Sequence, residues 1–327
     1  MKRISVLIWA VLCAAVLGRA QTTDEFKPAG KPFMRIFSNY HTTVSDGESA
    51  SAFEIRRVYL GYEYAFSKNL SMKANLDIGD PGVGKFELTA YVKNAYVSYQ
   101  LEKLTVNFGM IPTTQLKLVE DYWGYRYLYR SFQDAYKMYE TADMGASVAY
   151  AFNDFISADF IITNGEGYKK MQADSAFRTG IGITVLPVKN LTARALYDFS
   201  SKTHTQSTVA TFIGYTNDQF SVGAEYNKQH NHSFNEDQDL YGTSFYGTVK
   251  ASGNVKFFGR YDKLSSNTLT GETEKWNLSK NGELFIAGVE YAPVKGVKIA
   301  PNFQGWSPAA DSQHFTSTFI LNCEFKF

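Results

Sequence analysis

From Phe33 to its carboxy terminus the chain alternates apolar and polar residues in segments of about ten. In residues 70–78 one face carries Leu70, Met72, Ala74, Leu76 and Ile78, and the other Ser71, Lys73, Asn75 and Asp77. The same dyad recurs at 58–66, 104–110, 143–152, 177–185, 220–227 and 315–327. A period of two means β-strands with one apolar and one polar face. It leaves two architectures open, a soluble sheet protein and a membrane barrel.

The connections discriminate between them. Short turns are read at 67–69, 102–103, 153–154, 188–190, 217–218, 252–253 and 294–296. Longer polar links are read at 44–52, 80–87, 113–142, 165–175, 202–205, 231–239, 265–282 and 307–313. Strict alternation puts tight turns at one rim and long loops at the other, the pattern of outer-membrane barrels. The segments add up to about sixteen strands, an even number that brings both ends of the sheet to one rim and lets it close without an edge in lipid. The expected fold is therefore an all-β, transmembrane antiparallel barrel.

Met1-Lys2-Arg3, an apolar run to Leu17 and Gly18-Arg19-Ala20 are ordered as in a secretory signal, with cleavage expected after Ala20. The run is short for an uncleaved membrane helix, which needs about 20 residues, and Leu12 before Cys13 argues against a lipoprotein anchor. The expected organisation is a signal at 1–20, a periplasmic segment at 21–32 and a barrel at 33–327 in the outer membrane of a Gram-negative cell. Cleavage removes three cations and no acid, so the net charge goes from +1 to −2, and nothing calls for a nucleic-acid partner. Cys323 remains as the sole mature cysteine, which rules out an internal disulfide.

Charge on a lipid-facing strand position costs about 2–4 kcal/mol at midplane, so the strand charges are expected to face the lumen. The cationic lining then includes Arg57, Lys73, Arg178, Arg194, Lys256 and Arg260, followed by Lys298 and Lys326. Glu63, Asp77, Asp143, Asp159, Asp198, Glu225, Asp262, Glu290 and Glu324 nearly balance them. Sixteen strands enclose an aqueous channel.

The third long link is too long for routine use. It sets Lys117, Arg126, Arg130 and Lys137 among Tyr122, Trp123, Tyr125, Tyr127, Tyr129, Phe132, Tyr136 and Tyr139. So many aromatics would be sticky in solvent, so the loop is expected to fold into the lumen and narrow it. An external loop packed on its neighbours is the alternative. Folded inward, Arg126 and Arg130 are the first candidates for solute contact, with Lys117 and Lys137 behind them.

The run Phe53-Glu-Ile-Arg-Arg-Val-Tyr-Leu-Gly-Tyr-Glu-Tyr64, with 70–79, 90–99 and Val106-Asn-Phe-Gly-Met-Ile-Pro112, resembles the phosphate-selective porin O and P family. The resemblance implies a sixteen-stranded, often trimeric channel with its third loop in the lumen and a lining that favours anions. The family carries a ladder of lumenal arginines and a cluster of constriction lysines. This chain has Arg56, Arg57, Arg126 and Arg130 but no comparable ladder. The last strand, ending in Phe327, is similar to the signal that barrel-insertion machinery recognises.

Other motifs weigh less. Residues 79–85 match a phosphate-binding loop in glycine and lysine spacing, but Phe86 replaces the Ser or Thr that would hold magnesium. His230 and His232 could share a strand face, yet two ligands make a weak metal site. A barrel enzyme of the protease or lipase type, or a surface adhesin, are the rival classes. No Gly-x-Ser-x-Gly segment is present. The expectation is a non-enzymatic porin without metal or cofactor. It would sit among outer-membrane lipids and pass small hydrophilic solutes, phosphate or other anions among them.

Overall fold

A computed structural model describes residues 26–79 and 88–327. The described residues form sixteen strands. The first eight are β1 (Ala29–Ser45), β2 (Glu48–Ala65), β3 (Leu70–Gly79), β4 (Thr89–Leu101), β5 (Leu104–Pro112), β6 (Ala142–Ala151), β7 (Ile156–Thr163) and β8 (Arg178–Val185). The second eight are β9 (Leu191–Ser201), β10 (Thr205–Thr216), β11 (Phe220–His230), β12 (Leu240–Lys250), β13 (Val255–Ser266), β14 (Gly282–Val294), β15 (Val297–Pro308) and β16 (Thr316–Lys326). Each pairs antiparallel with its neighbours in sequence, and β1 pairs with β16 from Arg35↔Lys326 to Ser45↔Thr316. The sheet is a closed barrel, so no edge is left with unpaired backbone groups.

The two faces separate as the dyad requires. On β13 Phe257 is 52% exposed on the outer wall, whereas Phe258 beside it is 5% exposed inside. Leu76, Ile181, Ile183, Ile213 and Phe245 are likewise exposed outside, the surface a bilayer would cover. Cys323, a free thiol, lies between inward Asn322 and Glu324 and shares the outer face of β16 with Phe319, Leu321 and Phe325. Among the described residues no helix is long and apolar enough to cross a membrane.

Two boundaries differ from the sequence reading. The strand ladder starts at Ala29, before the expected Phe33. The first link is also not a long loop over 44–52, because β1 and β2 run on to the two-residue turn Asp46-Gly47. Both turn residues have positive φ, 52° and 76°, the mirror-image geometry that matches strand twist and that Asp-Gly favours. The polar residues around it are paired strand, tied by contacts such as Thr42 Oγ1 to Ser51 Oγ at 2.8 Å. Polarity there reflects a hairpin rising above the apolar belt. The rim alternation also fails at the link between β9 and β10, only 202–204 and so shorter than the 186–190 turn at the other rim, and the second link, 80–87, lies outside the described residues.

Candidate functional site in the barrel lumen

The third loop, 113–141, enters the barrel. It opens with helix α1 (Thr114–Trp123), whose face Leu116, Val119 and Trp123 is buried. Gly124 ends the helix in the left-handed conformation at φ 72°, its N–H bonded to Glu120 O at 2.8 Å. A short second helix, α2 (Phe132–Ala135), follows. Strands all round the barrel hold this segment. Arg56 Nη1 (β2) donates to Leu128 O at 3.0 Å, Arg260 Nη1 (β13) to Arg130 O at 2.7 Å, and Gln229 Nε2 (β11) to Met138 O at 2.8 Å. The Tyr127 hydroxyl donates to Glu290 Oε2 (β14) at 2.8 Å. Partners on so many strands place the loop inside the wall.

Its aromatics form the core there. Trp123 meets Tyr125, Tyr246 and Phe258 at centroid separations of 5.2, 5.6 and 6.4 Å, and its indole N–H donates to Tyr129 O. Phe37, Tyr59, Leu284 and Ile286 join the same cluster from the wall. The side of the lumen facing β10–β16 is thereby filled by side chains.

Of the eight lining cations named from the sequence, six each face a carboxylate, Lys298 shares Glu290 with Lys256, and Lys326 makes no ion pair with a described carboxylate. The pairs are Arg57–Asp77, Lys73–Glu63, Arg178–Asp198, Arg194–Asp159, Lys256–Glu290 and Arg260–Asp262. Arg260 and Asp262 are adjacent inward residues of β13, joined by two bonds of 2.8 and 2.7 Å and closed to solvent. Arg194 reaches Asp159 across the intervening β8 only because Gly182 has no side chain, since a Cβ there would fall on the guanidinium. These pairs cancel charge along the wall.

The four loop residues separate. Arg126 is held between Glu120 at 3.0 Å and Asp134 at 3.2 Å. Lys117 is exposed and paired with Asp121 one helical turn on. Lys137 is exposed, with a left-handed φ of 56°. Arg130 keeps its side chain exposed inside the barrel and makes no ion pair with any described carboxylate.

The structure adds three cations that the alternation hid. Arg56 is the extra residue of a β-bulge in β2, where the pairing steps from Phe37↔Arg57 to Ser38↔Ile55. Lys93 is the extra residue of another in β4, where it steps from Asn75↔Asn94 to Leu76↔Val92. A bulge re-aims one side chain. Lys93 Nζ thus donates to the Tyr59 hydroxyl at 3.3 Å and lies 4.9 Å over that ring and 5.6 Å over Tyr168. The third is Lys169, from the fourth loop, 164–177, which also turns inward. Its Tyr168 hydroxyl donates to Asp77 Oδ2 at 2.6 Å and accepts from Arg57 at 3.3 Å, while Lys169 Nζ sits 5.2 Å over the Tyr91 ring. Arg56, Lys93 and Lys169, like Arg130, make no ion pair with a described carboxylate.

Arg56 lies within electrostatic reach of Glu54, Arg126 and Arg130, and Lys169 within reach of Arg57, Asp77, Arg130 and Glu140. Enclosure by the lumen and the nearby Arg57 guanidinium hold the Lys169 ammonium below the usual lysine range. Glu140, accessible to lumenal solvent beside Gly167, is pushed above the usual carboxylate range by enclosure and by Asp134. Two loops and two bulges thus bring Arg56, Lys93, Arg130 and Lys169 to the lumen beside Tyr59, Tyr91 and Tyr168.

At the end of β11 the two histidines part. His230 pairs with Asp239 at 2.9 Å, whereas His232 contacts Gln229 and stacks on Trp276. Of residues 79–85, only Gly79 is described, as the end of β3.

No family model and no curated protein matches the sequence. Among solved structures the chain is similar to OmpF of Salmonella typhi, in complex with daunomycin, at TM-score 0.69 and 12% identity over 91% of this chain and 97% of that one. It is similar to OprB of Pseudomonas putida at TM-score 0.67 and 10% identity, over 91% and 94% of the two chains. The outer-membrane channel DcaP of Acinetobacter baumannii gives TM-score 0.65 and 12% identity over 94% and 100%. At these identities the likeness is one of fold, that of outer-membrane porin barrels.

Proposed function

We propose that this chain is an outer-membrane porin giving passive diffusion to small hydrophilic solutes and ions, with a preference for anions, phosphate among them. One observation carries the preference. Arg56, Lys93, Arg130 and Lys169 line the lumen without an ion pair to a described carboxylate, while Arg57, Arg178, Arg194 and Arg260 are each held in one. An excess of fixed positive charge in a low-dielectric passage concentrates anions and repels cations.

The same reading redistributes the candidate contact residues. Arg130 meets solute directly. Arg126, clamped by Glu120 and Asp134, shapes the loop, Lys137 contributes at longer range, and Lys117 is neutralised by Asp121. Tyr59 accepts from both Lys93 and Arg57, which leaves its hydroxyl hydrogen available to a solute oxygen. The likeness of the DcaP channel and OmpF folds supports a channel, and the resemblance to the phosphate-selective porins supports an anion as solute and a homotrimer as assembly. A secretory signal over 1–20 and insertion through the terminal strand belong to the same proposal.

The test is reversal potential in a salt gradient across planar bilayers. A shift toward the chloride equilibrium potential is expected. A cation-directed shift overturns the preference, and folded protein that conducts no ions overturns the channel.

A further inference from the structure

The fourth loop is fastened to the barrel unevenly. Its outgoing limb is tied to the start of β6, where Gly165 N donates to Asp143 Oδ2 at 2.6 Å and Tyr168 N to Ala142 O at 3.0 Å. Its return limb, 170–176, bonds mainly to itself. Gln172 Nε2 donates to Ala176 O at 3.0 Å, and Ala176 N to Asp174 Oδ1 at 2.8 Å. Among the described residues one polar tie joins that limb to the rest of the barrel, the pair of Asp174 with Lys202 at 2.8 Å.

Lys202 belongs to the short link between β9 and β10, and it holds the outgoing limb as well, because its Nζ lies 2.9 Å from Glu166 Oε1. Glu166 and Asp174 flank Lys169 in the chain, so one ammonium draws the two limbs together around it. Lys169 has only the Tyr91 ring for company and no hydrogen bond of its own to fix it. Single exposed ion pairs contribute little, but this group has three members, and the Glu166 and Lys202 side chains are only 13% and 27% exposed.

Backbone strain in a neighbouring loop supports the same centre. The Phe234 ring covers Lys202 Nζ at 4.6 Å, a cation held against an aromatic face. Phe234, Ser233 and Asn231, three non-glycine residues between β11 and β12, take left-handed φ of 62°, 58° and 51°. Such conformations persist where surrounding contacts over-determine them. Here Asn231 Nδ2 donates to Thr205 O and Ser233 N to Gln206 Oε1, both at 2.8 Å and both on the strand that follows Lys202.

We infer that Lys202 is a positioning residue for the passage: by binding Glu166 and Asp174 together under Phe234 it closes the fourth loop and holds Lys169 in the lumen. Its effect on selectivity rests on the reading of Lys169 as a cation of an anion-preferring passage. Lys202 itself meets no solute and acts through Lys169.

Two measurements on the complete barrel test this. In the first, nitroxides at Met171→Cys in the return limb and Val249→Cys on the outer wall, in a Cys323→Ser background, report the distance between limb and wall. A narrow distribution is expected, which Lys202→Gln broadens and Lys202→Arg keeps. A distribution that is already broad, or that Lys202→Gln leaves unchanged, overturns the inference. In the second, reversal potentials compare Lys202→Gln, Lys169→Gln and the double variant. Each single variant should lower the anion-to-cation permeability ratio by a similar factor of several-fold, and the double variant no further. Additive losses would make Lys202 a separate charge and overturn the inference. An unaltered barrel that prefers cations sinks the anion reading instead, and the distance distribution still decides whether Lys202 closes the loop.

Discussion

The hydroxyl of Tyr127, at the innermost turn of the third loop, donates to Glu290 Oε2 of β14 at 2.8 Å, and Lys298 Nζ lies 3.2 Å from the same oxygen. A hydrogen bond to a charged group contributes about 1.5–3 kcal/mol. Tyr127→Phe is expected to loosen the loop without opening the wall. Open-channel current noise should rise while the folded barrel's gel mobility stays unchanged, and noise equal to the wild type's would show that the loop is held elsewhere.

Neutralising the partnerless cations separates them from the paired ones. Lys93→Gln and Lys169→Gln should each lower the anion-to-cation permeability ratio several-fold, and the double variant should lower it further. Lys117→Gln, exposed and already paired, should leave the ratio within error. Reversal potentials measure all of these, and equal effects from Lys117 and Lys93 would contradict the assigned geometry.

The passage should respond to pH at both ends. Lys169 sits below the ordinary lysine value of about 10.4. A cation loses its charge as pH rises, so anion preference should fall on the alkaline side before ordinary lysines titrate. Glu140 sits above the ordinary carboxylate range, so its negative charge disappears early on acidification and anion preference should grow there. Lys169→Gln should abolish the alkaline limb and Glu140→Gln the acid limb of reversal potential against pH.

Arg260 and Asp262 are both closed to solvent, so breaking that pair leaves a buried charge. Asp262→Asn should destabilise the barrel by about 3–5 kcal/mol, whereas R260M/D262L, which removes both charges, should recover most of it. Urea unfolding in detergent measures the difference. A double variant as unstable as the single one would mean that the bond from Arg260 to Arg130 O matters more than charge balance.

What the sequence disclosed and what it hid have separate physical causes. Strand number, the inward set from Arg57 to Arg260 and the inward third loop were legible because lipid enforces a period of two and because eight aromatics do not face solvent. The alternation did not place Arg56, known only from the family resemblance, or Lys93 inside, since each occupies a bulge where parity breaks, and a one-residue step is invisible without its pairing partner. Lys169 was missed because the fourth loop has ordinary length and little apolar content. The pairing of Arg194 with Asp159 over Gly182 depends on register between strands far apart in sequence. The first turn was misread because polar composition outweighed Asp46-Gly47, a hairpin signal present in the chain.

The seam between β1 and β16 has a consequence for how the wall comes into being. Thr43 and Thr318 touch at 3.1 Å across 275 residues of chain, so the contact that completes the ring joins nearly the first strand made to the last. Closing a long loop is entropically slow, and every other strand must already be in register before this one can gain anything by it. The ring has no stable partial form in lipid, because a missing terminal strand uncovers two rows of backbone groups at once, on β1 and on β15. Until the strand before Phe327 is in place, those two rows need partners that lipid cannot supply.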